Sequence, residues 1–192
     1  MKVIDLSAWQ ENVPWGEVKA AGVKGVVLKL GERDNLDSMF VTHVNNAVAC
    51  GLTYGVYYYA HATSPEEARQ EAAWVDAQIK VYLRGENPPL GIWYDAEDSG
   101  MQSGDVTAAC SAFVSELNAR GYVYVGIYSS YHWLTSGTID TAQLAGYVPY
   151  WVAQYYKENS FKLEYPDKIV RMWQYTDHMS DALPYDANVY YL

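Results

Sequence analysis

Between residues 3 and about 145 the chain alternates short apolar runs with amphipathic segments, and this alternation constrains the fold more than any other feature. Residues 3–6 read as a strand, 14–21 as a short helix stopped by Gly22, and 26–30 as a buried strand. Residues 38–50 put Phe40, Val44, Ala47 and Val48 on one helical face, with Gly51 behind them. An aromatic strand at 54–60 precedes Ser64-Pro65-Glu66-Glu67, which combines an N-cap Ser, Pro at the first helical position and Glu three residues after the cap. That helix runs to about residue 83. A strand at 90–94 is followed by a helix at 105–120, whose apolar face carries Val106, Ala109, Cys110, Phe113, Val114 and Leu117. A strand at 122–128 comes after Gly121. Three further strands, 150–154, 170–175 and 185–190, have no long helix between them. Strands that alternate with helices pair in parallel and are covered by those helices. Eight strands, the first five each followed by a helix, predict an α/β barrel that begins like a (β/α) barrel and closes with simpler strands. No linker interrupts it, so residues 1–192 are expected to form one domain.

Composition narrows the function. Half of the residues are hydrophobic and no low-complexity block occurs, which excludes a disordered chain. Seven Trp and 19 Tyr suit a carbohydrate cleft, because flat rings stack on sugar faces while Tyr keeps a hydroxyl for hydrogen bonding. A net charge of −10, with no Lys/Arg stripe, argues against nucleic acid and against an anionic membrane surface. No apolar run approaches the length of a membrane-spanning helix. The opening Met1-Lys2-Val3-Ile4-Asp5 shows no signal peptide. Cys50 and Cys110 fall on helices separated by a third, so two free thiols are expected rather than a bridge. His43, His61, His132 and His178 are scattered without a ligand pairing, so neither metal nor cofactor is expected. His61 follows the aromatic strand, which leaves two readings, a contact with the groove and a surface histidine, the second favoured. A nucleophile elbow and a glycine-rich phosphate loop are both missing.

The chemistry points to carboxylates. Ile92-Trp93-Tyr94-Asp95-Ala96-Glu97 ends the fourth strand of the alternation with two acids in alternate positions, so both side chains face the same side. Active sites of such barrels collect at the C-terminal strand ends. Two carboxyl groups aimed at one spot repel, and one then tends to hold a proton near neutral pH. That supplies an acid and a charge stabiliser, the pair that glycosidic cleavage needs. Asp5 lies on the first strand and Asp186 begins the last, and in a closed barrel those strands are neighbours. Trp9, Tyr57, Tyr59, Trp93, Trp151, Trp173 and Tyr175 are expected around the same rim, at least three of them lining a groove.

Seven segments, in order, resemble glycoside hydrolase family 25, the lysozymes that include many phage endolysins. They are Ile4-Asp5-Leu6-Ser7-Ala8-Trp9-Gln10, Gly51-Leu52 with Gly55-Val56-Tyr57-Tyr58-Tyr59-Ala60, Tyr94-Asp95-Ala96-Glu97, Gly126-Ile127-Tyr128-Ser129, Pro149-Tyr150-Trp151-Val152-Ala153-Gln154-Tyr155, Trp173-Gln174-Tyr175-Thr176 and Asp186-Ala187-Asn188. The chain departs from the family pattern at Glu11, at Lys29-Leu30-Gly31-Glu32 and at Tyr58. The resemblance implies a single-domain, TIM-like flattened (β/α)5(β)3 barrel that cleaves the β-1,4 bond between N-acetylmuramic acid and N-acetylglucosamine of peptidoglycan. It implies Glu97 as general acid, with Asp95, Asp5 and Asp186 in the acidic cluster. Gln154 and Asn188 join the aromatic residues as expected substrate contacts. The work site would be the bacterial cell wall, reached by export or by phage lysis. Because that wall is often anionic, docking is expected from a separate wall-binding module. An inactive glycan-binding module on the same fold is disfavoured by the retained acids. A chitinase-like barrel is disfavoured because Leu90-Gly91-Ile92-Trp93 stands where its longer acidic pattern would run.

Overall fold

Side chains that accept from free backbone N–H groups mark most of the helix starts. The Ser64 hydroxyl accepts from Glu67 N at 3.3 Å and opens α3 (Pro65–Tyr82). Asp105 accepts from Ala108 N at 2.9 Å and opens α4 (Val106–Ala119). Ser130 and Asn159 do the same for two single-turn helices, α5 (Tyr131–Thr135) and α6 (Ser160–Glu164). The remaining two, α1 (Trp15–Ala20) and α2 (Phe40–Ala49), have no side-chain cap. Gly121, at a φ of +97°, turns the chain out of α4 through a conformation that other residues resist.

The computed structural model describes residues 1–191. Its strands are β1 (Lys2–Leu6), β2 (Gly25–Glu32), β3 (Asn35–Leu36), β4 (Thr53–Tyr59), β5 (Ile92–Asp95), β6 (Val125–Ser130), β7 (Pro149–Ala153), β8 (Ile169–Thr176) and β9 (Asp186–Tyr190). Parallel pairing runs from β1 through β2, β4, β5, β6 and β7 to β8. Strand β9 then lies antiparallel to both β8 and β1 and closes the ring. The barrel is therefore the eight-stranded one that the alternation predicts. Strand β3 is an addition, a two-residue hairpin partner of β2, too short to leave a period in the sequence. Its turn holds Arg33 and Asp34 at φ of 45° and 61°, the mirror-image turn that fits the strand twist.

Strand alternation divides the core in two. Ile4, Leu6, Val26, Leu28, Ile92, Tyr94, Ile127 and Val152 face outward and pack under the helices. Val3, Val27, Trp93, Tyr128, Trp151 and Met172 face inward and fill the barrel. A packed interior leaves the chemistry at the rim. Both cysteines are free.

Filling the barrel with indoles needs a neighbour with no side chain. A Cβ on Gly126 would sit 2.6 Å from Trp93 and 2.6 Å from the Pro149 carbonyl oxygen. Gly126→Ala is expected to destabilise the fold by about 1–3 kcal/mol through overpacking. Urea denaturation measures this, and an unchanged midpoint contradicts it.

Candidate active site

Because β1, β2 and β4 through β8 are parallel, their C-terminal ends share one mouth, and antiparallel β9 begins there. Asp95 is the last residue of β5. Its side chain is 4% exposed and its Oδ1 is buried without a hydrogen-bond partner. A buried unpaired carboxylate oxygen is costly, so burial lifts the Asp95 pKa well above the ordinary range, and the charge of Glu97 lifts it further. Glu97 lies two residues on, outside the strand, with its side chain reaching solvent. Protein packed beneath it still raises its pKa, as does the charge of Asp186. The Tyr128 hydroxyl and Lys29 act the other way, favouring the charged form.

Asp5 and Asp186 face each other as a cross-strand pair in the β1–β9 register. Asp5 is buried and accepts from Asn188 Nδ2 at 2.7 Å and from Gln174 Nε2 at 3.2 Å. Burial raises its pKa while these donors pull it back. Asp186 is pushed up to about 8 by burial, by the charge of Asp5 and by their mutual hydrogen bond. The two carboxyl groups thus hold a proton between them near neutral pH. The charges of Glu97 and Asp5 act on Asp95, and that of Asp186 acts on Glu97, so all four acids share one electrostatic neighbourhood.

This pairing has a stability consequence with a definite sign. An unfolded Asp titrates near 3.9, whereas Asp186 in the fold titrates at about 8. Between these values the folded chain binds more protons than the unfolded one, so stability is fully present below the lower value and is lost as pH rises towards the upper. Asp186→Asn removes the titration. Tm of the variant is expected to exceed wild type by about 2–4 °C at pH 8, with a flatter slope from pH 5 to 8. Thermal melts across that range check it, and identical slopes contradict it.

The aromatic residues divide by depth. Trp9 projects from the loop after β1 and is 89% exposed. Tyr57, Tyr59, Trp173 and Tyr175 are half-buried, but Trp173 corrects the expected rim position: it alternates with the inward Gln174 and sits beside the outward Val152, with the Tyr175 ring 5.6 Å from its own. Tyr57 lies among Asp5, Asp95, Asp37 and Asp186. Trp93 and Trp151 correct the expectation of a rim position. Each is 2% exposed, and each spends its indole N–H inside the protein, on the Leu90 carbonyl and on Asn188 Oδ1. They point inward from the middle of their strands and form the floor below the mouth. Asn188, fully buried between Trp151 and Asp5, is likewise no surface for a ligand. Gln154 uses its amide on both the hydroxyl and the N–H of Ser160, tying down the loop after β7.

Several members of the cluster carried no expectation. Gln174 links Asp5 to the hydroxyls of Tyr128 and Tyr155. Its register partner is Asn188, but a bulge after it blurs the strand period. Lys29 points into the same mouth and pairs with Glu32 at 3.1 Å. Asp37 anchors the Trp9 loop by accepting from Ala8 N at 2.9 Å. His61 is not on the surface as expected: only 15% of its side chain is exposed, between Glu32 and Asp98.

Among known proteins, the model of the family described as glycosyl hydrolases family 25 matches residues 4–182. Lysozyme M1 of Streptomyces globisporus is 26% identical over 162 residues, covering 79% of this chain and 54% of that protein. The modular autolysin LytC of Streptococcus pneumoniae, solved with a synthetic peptidoglycan ligand, superposes with a TM-score of 0.84 at 23% identity, covering 99% of this chain and 46% of LytC. The catalytic domain of endolysin ply40, from bacteriophage P40 of Listeria monocytogenes, gives a TM-score of 0.79 at 25% identity and covers 100% of this chain and 93% of that domain. The chain thus spans about half the length of the first two.

Proposed function

The chain belongs to glycosyl hydrolases family 25, and from that premise we propose that it is an N-acetylmuramidase, cutting peptidoglycan between N-acetylmuramic acid and N-acetylglucosamine at the bacterial cell wall. The observation that carries this reading is the pairing of a solvent-reaching Glu97, its pKa raised, with a buried Asp95 whose Oδ1 has no partner. Glu97 gives its proton to the glycosidic oxygen as the bond to the anomeric carbon breaks. Asp95 ends β5 only two residues before Glu97, at the same edge of the mouth, so it is poorly placed to attack that carbon from the opposite face. The substrate's 2-acetamido oxygen attacks instead, forming an oxazolinium and leaving Glu97 as a carboxylate. The acetamido N–H donates to the vacant Asp95 Oδ1, which favours the carboxylate form and offsets the positive charge. Water then adds to the anomeric carbon, Glu97 takes its proton, and the acetamide re-forms. Two displacements give net retention, and substrate assistance is a known exception to the two-carboxylate scheme.

The Asp5–Asp186 pair, with Asn188 and Gln174 holding Asp5, keeps further negative charge beside the developing cation. The exposed ring of Trp9 and the half-buried ring of Tyr59 offer faces for sugar stacking. Mass spectrometry of fragments released from purified walls tests the bond assignment. N-acetylmuramic acid at the new reducing end supports it, and N-acetylglucosamine there overturns it.

A further inference from the structure

One cluster of titratable groups stands beside the acids without belonging to them. His61 lies two residues beyond the end of β4, and both of its ring nitrogens face carboxylates. Nε2 is 3.0 Å from Glu32 Oε2, and Nδ1 is in close hydrogen-bond contact with Asp98 Oδ2. The backbone N–H of His61 donates to Glu71 Oε1 at 2.9 Å, and Glu71 Oε2 accepts the Tyr94 hydroxyl. The imidazole therefore joins the end of β2 to the loop after β5, while α3 fixes its own backbone through Glu71.

The Asp98 end of this bridge matters because Asp98 follows Glu97 directly. Its other oxygen, Oδ1, accepts from Gly100 N at 2.7 Å and caps the short 3-10 helix Ser99–Ser103. Long-range hydrogen bonds hold the chain as far as Ala96, whose N–H donates to the Tyr128 carbonyl at 2.9 Å and whose carbonyl accepts from the Ser129 hydroxyl at 2.7 Å; among the described residues none holds the backbone of Glu97 itself. On the other side of Glu97 the anchor is the side chain of Asp98, held by His61. We infer that His61 is a positioning residue for Glu97: by clamping Asp98 against Glu32 it sets where the Glu97 backbone hangs over the mouth. The inference rests on the reading of Glu97 as general acid. A misplacement of about 1 Å at such a group lowers the rate by up to about 10²-fold without altering ground-state binding.

The ring donates to both carboxylates at once only when doubly protonated. The charged and titratable groups around it are Lys29, Glu32 and Arg33 from β2 and its turn, Tyr59 from β4, Glu71 from α3 and Asp98 after β5. Of these, Arg33 Nη2 lies 3.2 Å from Nδ1 and 4.0 Å from Asp98 Oδ2. An arginine at position 61 would serve both carboxylates at any working pH.

Steady-state kinetics on soluble peptidoglycan fragments tests this with His61→Gln, His61→Arg and Asp98→Asn. His61→Gln is expected to lower kcat about tenfold with KM within about twofold. His61→Arg recovers most of kcat. Asp98→Asn, which keeps the cap acceptor but loses the charge, matches His61→Gln; it also carries the test should His61→Gln fail to fold. Wild-type kcat in the folded variants, or equal losses in His61→Gln and His61→Arg, overturns the inference. Glu97→Gln in the same assay separates the premises: if it is inactive while the His61 series resembles wild type, only the positioning role falls; if it is active, the reading of the site falls.

Discussion

Glu97→Gln is expected to lower turnover on bacterial walls by at least about 10²-fold while leaving Tm within about 2 °C of wild type. Glutamine keeps the size and the polar tip but cannot give a proton to the glycosidic oxygen. The side chain reaches solvent, and a glutamine oxygen can still accept from the Tyr128 hydroxyl, so folding has little to lose. The same carboxyl group should set the alkaline limb of the rate profile. Burial and the charge of Asp186 raise its pKa, so the proton is kept to higher pH than on a free glutamate and the rate falls as pH rises past that raised value. Turbidity loss of a wall suspension, run beside a thermal melt, measures both quantities. Near-wild-type lysis by a folded Glu97→Gln variant removes Glu97 from its role.

The sequence carried the barrel because the barrel is periodic. Inward and outward alternation on strands such as β1 and β6, and the cap at Ser64, are local signals that survive without knowledge of tertiary contacts. The meeting of Asp5 and Asp186 also followed from topology, since closure brings the first and last strands together. Depth was not legible. Trp93 and Trp151 occupy inward positions just as Asp95 does, and periodicity reports the face of a residue, not its layer along the barrel axis. The bridge through His61 was hidden for a different reason. Glu32, His61 and Asp98 come from three strand ends far apart in sequence, and the β2 end is re-aimed by a bulge between Lys29 and Gly31 that no pattern announces. Gln174 was quoted within a motif, yet its contact with Asp5 depends on register across the antiparallel closure.

A glycan stripped of its N-acetyl groups should be cut at least about 10²-fold more slowly than the acetylated polymer, and Asp95→Asn should approach the same loss on the acetylated one. Both expectations come from one atom. Asp95 Oδ1 is buried and unpartnered beside Glu97, and a donor arriving with the substrate would remove that penalty. The acetamido N–H is such a donor, and its carbonyl oxygen is then directed at the anomeric carbon. Removing the acetyl group leaves an amine that cannot form the oxazolinium; changing Asp95 to Asn removes the charge that stabilises it. The product stereochemistry must agree, because attack by the neighbouring oxygen followed by water retains the β configuration. An NMR time course begun within the first minutes of reaction, before mutarotation, reads the anomer directly. Inverted product, or equal rates on acetylated and deacetylated glycan, would replace the neighbouring-group route with direct attack by water.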